Sequence, residues 1–346
     1  MNAFYPLLRN ALFQVDAETI HDFALFALKQ APARALLRTL LPAVHEQPVK
    51  LWDYTFRNRV GLAAGFDKNA EALHAWDAMN FGFIEVGTVT PLGQPGNNRP
   101  RIHRFPRNQA LVNSMGFPND GAEAIQPRVA KYISRRNRAG HTPMLVGINI
   151  GKAKNTPLEK AAEDYLAVLH TFHETGDFFV INISSPNTPG LRYLQNEHEL
   201  RALLTPLSQE NKMLQSGRGE KPFKPLLLKI APDMTDAQAE QIAETALECG
   251  LDGMVSTNTT LDHTTLGLNA PLPGGLSGAP LQKRSTEILR VLAKTLQGKI
   301  PLIGCGGVFT ADDFKAKLDA GASLVQVYTS FIYRGPGIVG ELLRQS

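Results

Sequence analysis

The stretch Phe178-Phe179-Val180-Ile181-Asn182-Ile183-Ser184-Ser185-Pro186-Asn187-Thr188-Pro189-Gly190 opens as an apolar run and then turns abruptly into small polar residues and proline. A strand buried on both faces reads this way, whereas a half-solvated strand would alternate. The same unit recurs from about residue 60 onward. Its apolar, β-branched runs are residues 60–64, 83–89, 144–150, 178–183, 225–230, 253–257, 301–304 and 324–328, and most run out into Gly, Asn, Ser or Thr. Helical stretches lie between them, among them 69–79, 158–175, 236–249, 283–296 and 311–320. Eight strand–helix repeats predict an α/β fold, a closed (β/α)8 TIM barrel in preference to an open doubly wound sheet. A chain of 346 residues suits one barrel of about 250 residues with extensions. The dinucleotide fingerprint G-x-G-x-x-G does not occur in the first unit.

Two parts fall outside the repeat. Residues 92–120, rich in Pro, Gly, Asn and Arg, read as an excursion over the barrel mouth, with short extended pieces around 101–105. Residues 1–45 form a small N-terminal helical extension, so that the barrel domain spans 46–346. Asp16 is placed to cap a helix carrying Ile20, Phe23, Ala24 and Ala27 on one face. A second short helix follows Pro32, with Leu36, Leu37, Leu40 and Leu41 apolar, Arg34 and Arg38 polar, and Pro42 as its stop. Such a pair either packs on the barrel or a dimer contact, or lies in a membrane interface.

Composition narrows the function classes. At 43% hydrophobic and 20% charged the chain supports a sizeable core. No run approaches the roughly 18 apolar residues of a membrane span, and neither a secretory signal nor a basic transit segment is evident. Cys249 and Cys305 are far apart and match no metal-ligand spacing, so neither a disulfide framework nor a metal site is expected. The net charge of +4 fits anionic small ligands, lipid headgroups or an ordinary solvated surface. There is no clustered basic and aromatic pattern for nucleic acid.

Working residues of such barrels lie at the carboxyl ends of the strands. The glycines of Gly304-Cys305-Gly306-Gly307, with Tyr328-Thr329-Ser330, predict a phosphate site after strands seven and eight, where peptide N–H groups and a helix N-terminus converge. Gly274-Gly275-Leu276-Ser277-Gly278 would add a third wall, although glycines also make plain tight turns. Lys68 and Lys229 end apolar strands, where a lysine needs an anionic ligand or a nearby carboxylate. Asn113, Asn149, Asn182, Asn187 and Asn258 offer donors and acceptors without charge, suited to a planar ring bearing C=O and N–H groups, while single asparagines can also cap turns.

At these residues the chain resembles the dihydroorotate dehydrogenase family, in its quinone-dependent, membrane-associated class. The resemblance is carried by 63–68 (Ala-Ala-Gly-Phe-Asp-Lys), 85–91 (Glu-Val-Gly-Thr-Val-Thr-Pro), 182–190, 257–260 (Thr-Asn-Thr-Thr), 274–278 and 303–308 (Ile-Gly-Cys-Gly-Gly-Val), and extends over essentially the whole chain. It implies oxidation of dihydroorotate to orotate with flavin mononucleotide (FMN) as cofactor. Ser185 stands where this class keeps its base, the soluble class commonly having cysteine. Ala64, Gly65, Lys68, Thr88, Asn149, Asn182, Lys229, Thr257, Gly278, Gly307, Tyr328 and Thr329 match cofactor positions. Lys68, Asn113, Met115, Gly116, Phe117, Asn182, Asn187, Asn258 and Thr259 match the orotate site, and His21 and Arg104 flank the quinone opening. Ser114 departs from the family's frequent arginine, which leaves that one contact open. Cys305 is expected to pack rather than react.

On that reading Ser185 takes the proton from C5 of the substrate and a hydride from C6 passes to FMN, with Thr188, three residues on, as the candidate relay partner. The N-terminal helices then become the doorway to a membrane quinone, ubiquinone or menaquinone. The expected setting is peripheral, on the cytoplasmic face of a bacterial inner membrane, as monomer or homodimer, without nucleic acid. The competing expectations are a soluble FMN barrel using fumarate or NAD, and a membrane-peripheral protein that binds a phosphorylated ligand without turnover.

Overall fold

The structure, a computed structural model, describes residues 5–42, 44–136, 142–219, 221–269 and 272–344. Eight parallel strands close on themselves: β1 (Val60–Leu62), β2 (Phe83–Val89), β3 (Leu145–Ile150), β4 (Phe178–Asn182), β5 (Leu226–Ile230), β6 (Gly253–Ser256), β7 (Leu302–Cys305) and β8 (Ala322–Val327). They pair in chain order, and β8 returns to β1 in parallel register, Val325 opposite Val60. This is the (β/α)8 barrel. Every residue of β2, β3, β4 and β5 is buried, because the inner face meets the barrel interior and the outer face meets helices.

Three helices precede the barrel among the described residues: α1 (Tyr5–Leu12), α2 (Ala17–Leu28) and α3 (Ala31–Leu40). The outer ring is α4 (Leu73–Ala78), α5 (Ala122–Arg136), α6 (Ala161–Phe172), α7 (Glu197–Ser216), α8 (Asp236–Glu248), α9 (Gln282–Leu296) and α10 (Ala311–Asp319), with α11 (Thr329–Arg334) and α12 (Ile338–Leu343) at the end. Thr235 with Gln238, and Thr310 with Asp313, form capping boxes that start α8 and α10.

The amino-terminal end of the barrel is plugged. A hairpin of Val49–Leu51 and Tyr54–Phe56 covers it, and Phe56, Phe83 and Phe178 pack edge to face within it. Gly61 and Gly147 admit these rings: a Cβ would stand 2.3 Å from Phe83 at the first and 2.2 Å from Phe178 at the second. The open end is therefore the carboxyl one. Beside it, Ile102–Phe105 pairs with Ala110–Asn113, and that strand pairs with Gly275–Gly278, an antiparallel partner from between β6 and α9. Leu92–Gln94 pairs with Asn119–Gly121.

Asp16 caps α2 by accepting from the N–H groups of Glu18 and Thr19. The side of α2 that meets the barrel is that of Leu25 and Glu18. Glu18 forms a buried 2.6 Å ion pair with Arg101. Phe23 and Ala24, assigned by the sequence to the apolar face, are exposed, as are Phe26, Leu36 and Leu40. No described helix is long and apolar enough to cross a membrane.

Candidate functional site

The carboxyl ends of the strands surround a cavity that opens to solvent. Its wall is built from the sectors of every barrel strand except β3. The loop after β1 brings Ala64, Gly65 and Lys68, and β2 brings Thr88. The segment after the Ala110–Asn113 strand brings Met115, Gly116 and Phe117 beside Asn113 itself. From β4 and its loop come Asn182, Ser185 and Asn187; from β5, Lys229; from the end of β6, Thr257, Asn258 and Thr259. Gly278, Gly307, Tyr328 and Thr329 complete it. These predicted residues thus share one space. Lys68 does not end a strand: it lies in the loop six positions past Leu62.

Four predicted residues lie elsewhere. Asn149 is fully buried behind the wall and touches it only through hydrogen bonds. Thr188 is buried beside the wall, its Oγ1 without a partner among the described residues. His21 lines a neighbouring cleft under α2, which Lys68 and Met115 also line. Arg104 donates to the carbonyls of Leu12 and Val15 and lies over the Phe13 ring at 4.7 Å, fastening the α1–α2 turn. Ser114 is spent on backbone contacts to Arg101 and Asn97.

The sequence reading missed Glu85, which organises the inner end of the site. It is fully buried on β2. Lys229 Nζ sits 3.2 Å from its Oε2, Asn149 Nδ2 donates to the same oxygen at 3.0 Å, and Gln326 Nε2 donates to Oε1 at 2.5 Å. Lys229 therefore has the carboxylate partner that a buried ammonium requires, and it still faces the cavity. The network climbs outward. Thr88 Oγ1 donates to Asn149 Oδ1 at 2.5 Å, and Asn182 Nδ2 donates to Thr88 Oγ1 and Asn149 Oδ1 at 2.9 and 3.1 Å. Ser184 Oγ donates to Asn182 Oδ1 at 3.0 Å, and Asn258 Nδ2 donates to Ser184 Oγ at 2.9 Å. Each amide is held by its neighbours, so the donors and acceptors facing the cavity are preorganised. A signal for Glu85 existed: a carboxylate inside a run that is otherwise apolar.

Ser185 is buried, and among the described residues its Oγ accepts only from the Asn187 N–H, at 3.2 Å. Asn187 Nδ2 donates in turn to Asn113 O and Oδ1, joining the β4 loop to the covering sheet. Lys68 Nζ makes no hydrogen bond or ion pair among the described residues. Burial holds its ammonium below the ordinary lysine range, against the pull of Glu18, Asp22 and Asp67. Burial and Lys68 bring the His21 imidazole down to about 3, so that ring is neutral. The Cys305 thiol is pushed up by burial and stays protonated, which suits packing rather than nucleophilic chemistry.

Around Gly306-Gly307, with φ of +109° and +73°, the Gly306 N–H meets the Cys305 thiol, while the peptide N–H groups of Gly307 and Val308 have no hydrogen-bond partner among the described residues. Thr329, Ser330 and Ser277 bring hydroxyls to the same wall. Unpaired amides and hydroxyls fit an anion such as a phosphate; the amides and Lys229 fit a flat ring with mixed polar edges. A phosphorylated heteroaromatic group suits both.

The chain matches the family model described as Dihydroorotate dehydrogenase over residues 47–345. A relative from Vibrio vulnificus, named dihydroorotate dehydrogenase (quinone), is 47% identical over 347 residues, covering 98% of this chain and 99% of its own. One of the same name from Idiomarina loihiensis is 45% identical over 340 residues, covering 98% and 99%. Among solved structures, a DHODH from Eimeria tenella in complex with ferulenol matches with a TM-score of 0.84 at 37% identity, covering 94% of this chain and 89% of that one.

Proposed function

Because the chain belongs to the dihydroorotate dehydrogenase family, we propose that it oxidises dihydroorotate to orotate in pyrimidine biosynthesis and delivers the electrons to a quinone. The family is flavin-dependent, and FMN is the form that suits this site. The observation that carries the reading is one cavity holding Ser185, Asn113, Asn182, Asn187, Asn258 and a Lys68 without a partner among the described residues, together with the Gly307 and Val308 N–H groups, likewise unpaired there. Gly278, Gly307 and Thr329 would hold the phosphate. Ala64, Gly65, Thr88, Asn182, Lys229, Thr257 and Tyr328 would hold the remainder, with Asn149 as support. When bound, the flavin supplies the hydride acceptor.

The chain's own residues have the other tasks. Ser185 Oγ takes the C5 proton of the substrate. A hydroxyl is a weak base and needs an outlet, for which Thr188, buried and without a partner among the described residues, is the relay. Lys68 holds the substrate carboxylate and so gains the anion it lacks in the free chain. Asn113, Asn182, Asn187, Asn258 and Thr259 hydrogen-bond the pyrimidine edge, and Met115, Gly116 and Phe117 wall it in. The Lys229 charge is offset by Glu85, so it polarises the ring end of the cofactor site without leaving a bare buried cation.

Serine at position 185 and the helices α1–α3 favour the quinone-dependent class over a soluble one. Exposed Phe23, Phe26, Leu36 and Leu40 form the surface expected to enter the lipid headgroup region. On this reading the protein is peripheral to the cytoplasmic face of a bacterial inner membrane, with His21 and Arg104 beside the quinone entrance. The test is anaerobic. Dihydroorotate should bleach the flavin absorbance of the purified chain, and quinone, in preference to fumarate or NAD, should restore it. A protein without flavin, or flavin that stays oxidised, rejects the reading.

A further inference from the structure

Behind the Gly306–Gly307 turn lies a lysine with no part in the chemistry above. Lys317 on α10 is completely buried, and it makes no ion pair among the described residues. Its one hydrogen bond among the described residues runs from Nζ to Ser285 Oγ on α9, at 2.6 Å. Ser285 Oγ is also 3.0 Å from Gly306 O and 3.1 Å from Gln282 O. An ammonium has donors and no lone pair. The serine oxygen must accept from Lys317, and the single serine proton is left for a carbonyl.

Of the two carbonyls within reach of that proton, Gly306 O is the nearer and the one that lies off α9. The Gly306 carbonyl is turned toward α9. The Gly306–Gly307 bond is not among the cis peptides, and in a planar trans unit the N–H of the next residue points opposite to the carbonyl. The Gly307 N–H therefore points away from α9, on the side where Gly307 borders the cavity, and it has no partner among the described residues. The contact is tight: a Cβ on Gly307 would lie 2.3 Å from Gln282 Cα.

We propose that Lys317 is a positioning residue for the phosphate end of the cofactor: acting through Ser285, it holds the Gly307 N–H toward the cavity and adds positive charge behind it. The proposal rests on the FMN reading above. A buried ammonium without a carboxylate is costly, and an anion received by the turn would offset it. Burial holds the Lys317 amine down to about 7, with Cys305 on β7 and Asp313 on α10 raising it and Arg290 on α9 lowering it. Above that value the neutral nitrogen can itself accept the serine proton, which frees the Gly306 carbonyl.

Phosphorylated and unphosphorylated flavin separate this role from a merely structural one. FMN and riboflavin are titrated into the flavin-stripped full chain and into Lys317→Met and Ser285→Ala, following flavin fluorescence. Both variants should bind FMN about 10- to 100-fold more weakly, as expected for the loss of one hydrogen bond to a charged group. Riboflavin affinity should change by less than about threefold, since that ligand makes no phosphate contact. The FMN advantage of the native chain over Lys317→Met should shrink as pH rises through about 7. Ser285→Ala keeps the comparison if the lysine variant does not fold. Unchanged FMN affinity in the variants, or equal weakening of both flavins, overturns the proposal while FMN binding by the native chain leaves the cofactor reading intact. A native chain that binds riboflavin as tightly as FMN overturns both.

Discussion

Ser185 is asked to act as a base although a hydroxyl is barely basic, so its contribution must be read from the rate of proton removal and not from binding. Ser185→Ala should retain FMN and orotate while dihydroorotate reduces the flavin about 10²- to 10⁴-fold more slowly in single-turnover absorbance. Undiminished reduction removes Ser185 from the mechanism. Lys68 makes a pH-dependent prediction. Burial lowers its pKa in the free chain, and only the ammonium binds a carboxylate. KM for dihydroorotate should therefore rise as pH climbs through that lowered value. Lys68→Met should show a KM raised about 10- to 100-fold and flat over the same range. Linkage runs the other way for folding: in the free chain the buried ammonium costs stability, and raising the pH through its lowered pKa relieves that cost. At this scale the sequence located most of the wall, because polar residues at the ends of apolar runs must face a barrel mouth. It was blind to depth. Asn149 and Asn182 both follow apolar residues, yet Asn149 is covered by Thr88 and Asn182, a relation set by neighbouring strands.

Helix α2 presents two kinds of apolar side chain with opposite expected behaviour. Phe23 and Phe26 are each 62% exposed. Phe23→Ser with Phe26→Ser should leave thermal stability and flavin content unchanged while weakening sedimentation with anionic vesicles by about tenfold or more, since burying one such side chain is worth about 1.5–3 kcal/mol. Unaltered vesicle binding would show that this face does not enter lipid. Leu25→Ala acts on the buried side and should destabilise by about 2–5 kcal/mol, visible as a lower melting temperature. The eight barrel strands were legible from their apolar runs. The sequence reading did not single out α5 or α7, each of which carries an internal proline, Pro127 and Pro206. Nor did it separate α1, or identify Gly275–Gly278 as a strand; glycine has little intrinsic preference for a strand, and pairing with Ala110–Asn113 supplies what propensity does not.

For the whole molecule, the barrel class follows from the repeat, whereas its internal fastening does not. Glu85 on β2 binds Lys229 on β5, Asn149 on β3 and Gln326 on β8. Asn149 is on the adjacent strand, but Lys229 and Gln326 are on strands that do not pair with β2, and closure of the ring brings them within reach. Glu85→Ala strands Lys229 as a buried charge, so it should cost about 3–5 kcal/mol in urea unfolding and empty the flavin site. Full stability in that variant would mean that the carboxylate is dispensable. Strands tied to one shared group should not loosen independently. Deuterium uptake at the amides of β2, β3, β5 and β8 should converge on a common slow rate, the signature of a single opening event, while the covering strands at 92–94 and 119–121 trade their protons for solvent deuterons far earlier.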